Sequence, residues 1–148
     1  MAFLRSMSKP DVTPMILGRG VYLRNPQPGD YGPWSDLRGA SRSFLTPWEP
    51  TWPSDDLTRT AFRRRLRRYQ REIREDQAYP FFIFREEDDA LLGGCTLSGV
   101  QRGVQQSCTL GYWAGECHAG RGYVTAAVRA LVPYVFEELR LHRLQAAC

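Results

Sequence analysis

The sequence predicts an α+β fold with a mixed, mainly antiparallel central sheet flanked by helices. Three short apolar segments follow one another between polar turns, as in an antiparallel meander, and segments with helical periodicity stand on either side of them. The chain has 148 residues, 43% of them hydrophobic, which is typical of one globular domain. We therefore expect a single domain in residues 14–148 after a loose tail in residues 1–13.

The first predicted elements are a strand pair and a short helix. Residues 15–24 are typical of two short strands or one bulged strand, with Gly18 and Gly20 in the turn. A cluster of Asn, Pro and Gly residues ends this segment. Asp30 then provides a suitable N-cap for a helix over residues 30–42.

Residues 45–56 combine three prolines with two tryptophans. The prolines exclude a regular helix, and the aromatic content predicts that the segment packs on the rest of the protein. Residues 57–75 follow and predict a long helix, because four apolar side chains recur at steps of four, three and four: Phe62, Leu66, Tyr69 and Ile73.

The second half of the chain predicts most of the sheet. Strands are expected over residues 80–84, 91–98, 107–114 and 143–148, and the first is aromatic enough to be buried on both faces. A glycine-rich loop, residues 115–122, precedes a helix over residues 122–139. Pro133 lies inside this helix and predicts a kink over residues 129–133.

The charge is basic and is carried almost wholly by arginine. The formal net charge is +4, and nineteen arginines accompany one lysine, which suits forked contacts with phosphate or carboxylate. No run approaches the roughly 18 apolar residues needed to cross a bilayer, and the N-terminus has no signal-peptide pattern. These features predict a soluble cytoplasmic protein without a membrane partner.

The cysteines and histidines do not predict a metal site. No C-x-x-C pair occurs, and the two histidines are not arranged around the cysteines at zinc-finger spacings. Cys95, Cys108 and Cys148 lie in apolar runs and are expected in the core. Cys117 lies in a loop, where we expect exposure but no reactive chemistry.

The loop over residues 117–122 carries the clearest chemical signal. Glycines between a strand and a helix turn the backbone sharply, and the start of the helix adds partial positive charge, so a phosphate group fits there. A P-loop is disfavoured because Gly122 is followed by Tyr123 and not by lysine. A Rossmann fingerprint is disfavoured because Thr125 stands where its third glycine is required.

With this loop, the sequence resembles the GNAT superfamily of acyl-CoA-dependent N-acetyltransferases, whose signature is Gln/Arg-x-x-Gly-x-Gly/Ala at the start of a long helix. Gly120 and Gly122 fill the glycine places, and Cys117 stands in the Gln/Arg place. Four blocks between residues 45 and 147 resemble the ribosomal-protein-alanine N-acetyltransferase branch: Leu-Thr-Pro-Trp-Glu-Pro, Ala-Tyr-Pro-Phe, Leu-Gly-Tyr-Trp and Phe-Glu-Glu-Leu-Arg-Leu-His-Arg-Leu-Gln-Ala-Ala.

The resemblance implies acetyl-CoA as cosubstrate and direct attack of an amine on the thioester. Pantetheine would lie beside the strand 110–114, which would splay from residues 144–148, and a backbone N-H near Gly111 or Tyr112 would stabilise the oxyanion. The expected cofactor-binding residues are Leu110, Gly111, Tyr112, Trp113, Ala114, Cys117, His118, Ala119, Gly120, Arg121, Gly122 and Tyr123.

The acceptor favoured by the resemblance is a protein N-terminal α-amine, such as that of a ribosomal protein. An α-amine has a pKa of about 7.7–8.0 and needs less help from a base than lysine at about 10.4. Trp48 and Glu49 are the candidate substrate-binding residues, and Tyr112 is either a core aromatic or a site residue. Relatives often have Glu at the position of Gln145, so the role of that carboxylate is in doubt in this chain. No catalytic residue is assigned. A small-molecule amine is the alternative acceptor.

The rival function is RNA or ribosome binding by a non-catalytic module. Residues 58–75 contain eight arginines and two glutamates, a local charge of +6. The exposed candidates for phosphate contact are Arg63, Arg64, Arg67, Arg68 and Arg71. The competing interpretation is a solvated face with pairs such as Arg68 with Glu72 and Arg71 with Glu75.

The end of the chain predicts an incomplete domain. Family members continue past the strand at 143–148 with a turn, a helix and a closing hairpin. We therefore expect an exposed sheet edge, self-association and weak or absent turnover.

Overall fold

The computed structural model describes residues 14–146, so the predicted tail and the last two residues, including Cys148, lie outside it. The strands are β1 (Ile16–Leu17), β2 (Val21–Arg24), β3 (Tyr79–Arg85), β4 (Leu91–Gln101), β5 (Ser107–Ala114) and β6 (Arg143–Ala146). They form one sheet in chain order, antiparallel throughout except for the parallel pair β5 and β6. The predicted α+β fold is confirmed.

The helices are α1 (Tyr31–Ala40), α2 (Arg42–Leu45), α3 (Arg59–Arg74) and α4 (Tyr123–Pro133), with 3-10 turns at Pro28–Asp30, Thr46–Trp48 and Glu116–His118. The helix predicted over residues 30–42 is divided at Ser41 into α1 and α2. The long helix predicted from residue 57 begins at Arg59, because the Thr58 hydroxyl caps it by accepting a hydrogen bond from the Ala61 N-H at 3.2 Å.

The N-terminal strand pair and β3 are as predicted. Gly20 has φ 75° in the turn that joins β1 to β2, a conformation that glycine adopts without strain. The apolar interior of β3 is buried on both faces. β4 runs three residues past its predicted end at residue 98, and its pairing with β5 shifts register between Ser98 and Gln101.

The helix with the internal proline changes type after the proline. α4 remains α-helical as far as Pro133, and residues 134–138 continue it as a π-helical turn. The Leu139 N-H donates to the Tyr134 carbonyl at 2.9 Å, five residues back. The hydrogen-bond pattern therefore widens after the proline, and the kink predicted over residues 129–133 stays a prediction.

The core lies on both faces of the sheet. On one face α4 packs Leu131 against side chains such as Phe81, and the buried cysteines Cys95 and Cys108 belong to this cluster, as predicted. On the other face α1 and α3 pack Trp34 and Phe62 together, with ring centroids 4.8 Å apart. Burial raises the pKa of the Cys95 thiol to about 12, so this cysteine is a core residue and not a nucleophile.

The candidate site begins where the described pairing of β5 with β6 ends. Their last described register pair is Leu110 with Ala146. Beyond it, residues 111–114 are paired with β4 alone within the described part of the chain. Within residues 14–146 this half of β5 has no second strand partner, and its residues line the cavity described next.

Candidate functional site

A cavity of about 690 Å³ opens where this half of β5 meets the glycine-rich loop and the start of α4; we call it the loop cavity. Its lining includes these residues predicted from the sequence: Trp48, Glu49, Gly111, Tyr112, Trp113, Ala114, His118, Ala119, Gly120, Gly122 and Tyr123. Phe44, Leu45, Val124 and Thr125 complete the lining. Three predicted residues lie elsewhere: Leu110 is in the core, and Cys117 and Arg121 line a neighbouring cavity of about 490 Å³.

The glycine loop presents unobstructed backbone to this cavity. Gly120 and Gly122 have φ of 74° and 83°, and no atom lies within 4 Å of the position that a Cβ would take at either residue. Gly122 is the N-cap of α4, and no side chain caps the helix. The N-H groups of residues 123–125 therefore have no acceptor in the helix, and an anion fits there.

Charged groups around the loop hold Tyr123 in place. The Arg85 guanidinium donates to the Tyr123 hydroxyl at 3.2 Å and forms an ion pair with Asp88 at 2.9 Å.

The environment of His118 favours its neutral form. Burial, followed by the charges of Arg85 and Arg121, lowers the pKa of His118. His118 is therefore mainly neutral near pH 7 and adds little positive charge at the loop.

Three consecutive residues of β5 line the cavity and contribute to it in different ways: Gly111, Tyr112 and Trp113. Tyr112 is 58% exposed and lines the cavity, which excludes its interpretation as a core aromatic. Trp113 lies over Gly94 so closely that a Cβ there would be 2.6 Å from the indole Nε1. No atom lies within 4 Å of a Cβ placed on Gly111, so the backbone at this position is open to a ligand.

The segment after α2 supplies an exposed tryptophan and one partner of a partly buried ion pair. The segment was predicted to pack on the rest of the protein. Trp52 is buried as predicted, but Trp48 is 86% exposed and does not pack on the core. Both carboxylate oxygens of Glu49 accept hydrogen bonds from Arg38, at 2.8 and 3.0 Å, and one also accepts from the Trp52 indole. The carboxylate predicted to hold a cationic substrate is therefore already paired.

The sequence analysis missed Arg38, which is 8% exposed. Its guanidinium carbon lies 4.5 Å from the ring centroid of Trp52 and 4.9 Å from that of Trp113. One signal pointed to it: Arg38 follows the buried Trp34 by four residues and so lies on the same helix face. In residues 14–146, no group of three His, Cys, Asp or Glu side chains is placed to hold a metal ion. No helix there is long and apolar enough to cross a membrane.

Comparison with known protein families identifies this arrangement. The family model described as an acetyltransferase (GNAT) domain matches residues 21–148. The chain belongs to the GNAT acetyltransferase family. It is therefore an acetyltransferase that uses acetyl-CoA as cosubstrate.

Individual relatives agree with this assignment. The chain is 34% identical to the probable N-acetyltransferase YjcK of Bacillus subtilis (strain 168), over 89% of this chain and 73% of that protein. It is 28% identical to the [ribosomal protein uS5]-alanine N-acetyltransferase of Escherichia coli (strain K12), over 76% of this chain. The alignment spans only 58% of that enzyme's length.

The structure is similar to that of Mycobacterium smegmatis RimJ in complex with CoA-disulfide. The TM-score is 0.81 at 29% sequence identity, and the superposition covers 93% of this chain and 67% of that one. The fold of this GNAT chain is thus that of an enzyme whose structure contains a CoA group.

Proposed function

We propose that this GNAT acetyltransferase moves the acetyl group of acetyl-CoA to the N-terminal α-amine of a polypeptide such as a ribosomal protein, in the cytoplasm. The observation that carries the proposal is the lining of the loop cavity. The glycine loop before α4, residues 111–114 of β5 and the exposed side chain of Trp48 all line it. The names of the relatives support a ribosomal-protein acceptor. A small-molecule amine is the alternative acceptor.

The residues present fit CoA. The N-H groups at Gly122 and the first turn of α4 would hold the pyrophosphate, and the edge of residues 111–114 would pair with the amides of the pantetheine arm. Bound acetyl-CoA supplies an acetyl group activated as a thioester. A backbone N-H at Gly111 or Tyr112 would donate to the carbonyl oxygen as negative charge develops on it.

Two other residues predicted to bind the cosubstrate keep a smaller role in this proposal. Arg121 is exposed beside the loop and adds positive charge near the proposed pyrophosphate position. Cys117 is exposed, lines the neighbouring cavity and lacks the longer side chain that the family signature has at this position. The backbone cradle remains without that side chain.

The acceptor, and not a residue of the protein, is expected to set the pH dependence of transfer. An α-amine is nucleophilic only when neutral, so kcat/KM should rise about tenfold per pH unit below a pKa of about 7.7–8.0 and level off above it. Because the pKa of His118 is lowered, His118→Gln should leave that midpoint in place. A lysine side-chain acceptor, tested as control, should shift the rise towards pH 10.

The transfer itself is tested by thiol release and mass spectrometry with acetyl-CoA and peptides that begin with Ala or Ser. A peptide with a free N-terminus should gain one acetyl group, whereas the same peptide with a blocked N-terminus should not. Acetylation of small amines, with no reaction at peptide N-termini, would overturn the proposed acceptor.

A second function, RNA contact, is favoured by one observation on α3. Arg59, Arg63 and Arg67 line a cavity of about 310 Å³ beside Tyr31, and none of the three forms an ion pair within residues 14–146. We call these three residues the arginine row. The pairs predicted between Arg68 and Glu72 and between Arg71 and Glu75 are not formed; instead Arg64 pairs with Asp55, and Arg65 with Asp56.

If the arginine row binds single-stranded RNA, raising the salt concentration should weaken binding with a log-log slope near −2 for three phosphate contacts. Arg63→Glu combined with Arg67→Glu should abolish binding in a fluorescence anisotropy titration. Arg19→Glu with Arg129→Glu makes the same charge change on exposed residues elsewhere and should retain most of the affinity. Salt-insensitive or absent binding by the unmodified protein would leave the solvated-face interpretation.

A further inference from the structure

One side chain at the end of β3, that of Arg85, connects the sheet to the first residue of α4. Its guanidinium forms a forked pair with Asp88, in which the Nε–Oδ1 and Nη2–Oδ2 distances are 2.9 and 3.0 Å. The remaining nitrogen, Nη1, donates to the Tyr123 hydroxyl at 3.2 Å. Because the fork with Asp88 fixes the plane of the guanidinium, it also fixes the direction of this third hydrogen bond.

The backbone around Arg85 is itself held in place. The Arg85 N-H donates to the Ala90 carbonyl at 2.8 Å, and the Ala90 N-H donates to Asp88 Oδ1 at 3.2 Å. Arg85 is also the register partner of Val21, which is buried in the core. The guanidinium therefore extends from a part of the sheet that packing and hydrogen bonds both fix.

The Tyr123 ring joins this part of the sheet to the glycine-rich loop. The ring of His118 packs edge-on against it, with ring centroids 6.4 Å apart. Gly120 and Gly122 lie between these two rings in the chain and supply no side chain of their own, and no side chain caps α4. Tyr123 is thus a point at which sheet, loop and helix are held together.

The contact with Tyr123 is the route by which Arg85 reaches the loop cavity. Among the described residues, His118 and Tyr123 line that cavity, whereas Arg85 does not. An effect of Arg85 on a ligand in the cavity would therefore pass through the position of the Tyr123 ring.

Resting on the placement of the CoA pyrophosphate proposed above, we propose that Arg85 is a positioning residue for the cosubstrate. By holding the Tyr123 ring, Arg85 keeps the backbone N-H groups at the start of α4 in the arrangement that binds the pyrophosphate. A loop that is ordered before CoA arrives does not have to be ordered by the ligand, and binding is tighter for that reason. The effect belongs to the pyrophosphate, so pantetheine, which has none, should not depend on Arg85.

Two variants break the contact from its two sides. Arg85→Met and Tyr123→Phe should each weaken CoA binding about fivefold in a calorimetric titration, since one hydrogen bond from a charged donor is lost. Both changes remove the same contact, so the combined variant should also lose about fivefold and not about 25-fold. Pantetheine binding, followed by NMR titration, should be equal in all four proteins.

Matched controls make the same kinds of change away from the loop cavity. Arg102→Met breaks a forked pair with Asp76, in which the third nitrogen likewise donates to another part of the chain, at the Leu139 carbonyl. Tyr22→Phe removes a hydroxyl that donates to Asp89, one residue after Asp88 in the same turn. Neither Arg102 nor Tyr22 lines the loop cavity, so both controls should bind CoA as the unmodified protein does.

Three results would overturn this inference. Loss of CoA affinity in Arg85→Met but not in Tyr123→Phe would show that Arg85 does not act through the ring. Equal loss for CoA and pantetheine would show that Arg85 supports the fold and not the pyrophosphate position. Unchanged affinity in both variants, where Gly122→Val does lose CoA, would leave the loop as the CoA site without a role for Arg85.

The outcome is independent of the acceptor. CoA binding is measured without any amine, so failure of transfer to peptide N-termini would contradict the proposed function and leave this inference standing. Tyr123→Phe keeps the ring and removes only the hydroxyl, so it tests the contact even where Arg85→Met does not fold.

Discussion

Gly122→Val is expected to weaken acetyl-CoA binding by more than tenfold, which corresponds to at least about 1.4 kcal/mol of binding free energy. Gly122 is the N-cap of α4 and lines the loop cavity, where nothing lies within 4 Å of an added Cβ. A branched side chain would therefore fill space that the phosphate needs and would keep it from the helix N-H groups. Calorimetric titration of the purified variant measures the loss.

This variant needs a control for backbone strain, because Gly122 has φ 83° and valine is disfavoured there by about 1–2 kcal/mol. Gly20→Val supplies the control: Gly20 has φ 75°, has equally open space around its Cβ position and lies outside the loop cavity. Both variants should unfold at lower urea concentration, but only Gly122→Val should lose CoA affinity. Equal affinities in the two variants would show that the phosphate binds elsewhere.

The sequence was sufficient to predict those parts of the fold whose physical cause is local. Short apolar and aromatic runs between polar turns predicted β3, β4 and β5, and a stripe of apolar residues predicted α3. The glycine loop was also predictable from the local sequence. Gly120 and Gly122 have positive φ, a conformation that glycine adopts without strain. Boundaries moved where a side chain intervened, as at Thr58, whose hydroxyl sets the start of α3.

Side-chain pairing in the candidate site could not be predicted in the same way. Glu49 meets Arg38 across an irregular, proline-containing segment, so no periodicity relates the two residues. Asp55 and Asp56 pair with arginines nine residues ahead, which replaces the expected pairs within α3. Trp48 and Trp52 lie in the same segment, yet one is exposed and the other buried because only Trp52 reaches Arg38.

The pair of Arg38 and Glu49 gives the largest expected effect on stability. Arg38→Met should lower the free energy of unfolding by about 2 kcal/mol, because it removes one partner of a partly buried ion pair in which the Glu49 side chain is 22% exposed. Glu49 would keep only the Trp52 indole N-H, and both Trp52 and Trp113 would lose the guanidinium that lies against their rings. Urea unfolding, followed by tryptophan fluorescence, measures the change.

Two further variants separate loss of the charge pair from loss of packing. Arg38→Met combined with Glu49→Met leaves no partly buried charge without its partner, so it should recover part of the stability that Arg38→Met alone loses. Arg64→Met breaks the exposed pair with Asp55 and should cost less than about 1 kcal/mol. If Arg38→Met cost no more than Arg64→Met, water would be compensating the charge of Glu49, whose side chain is 22% exposed, and the pair with Arg38 would add nothing to stability.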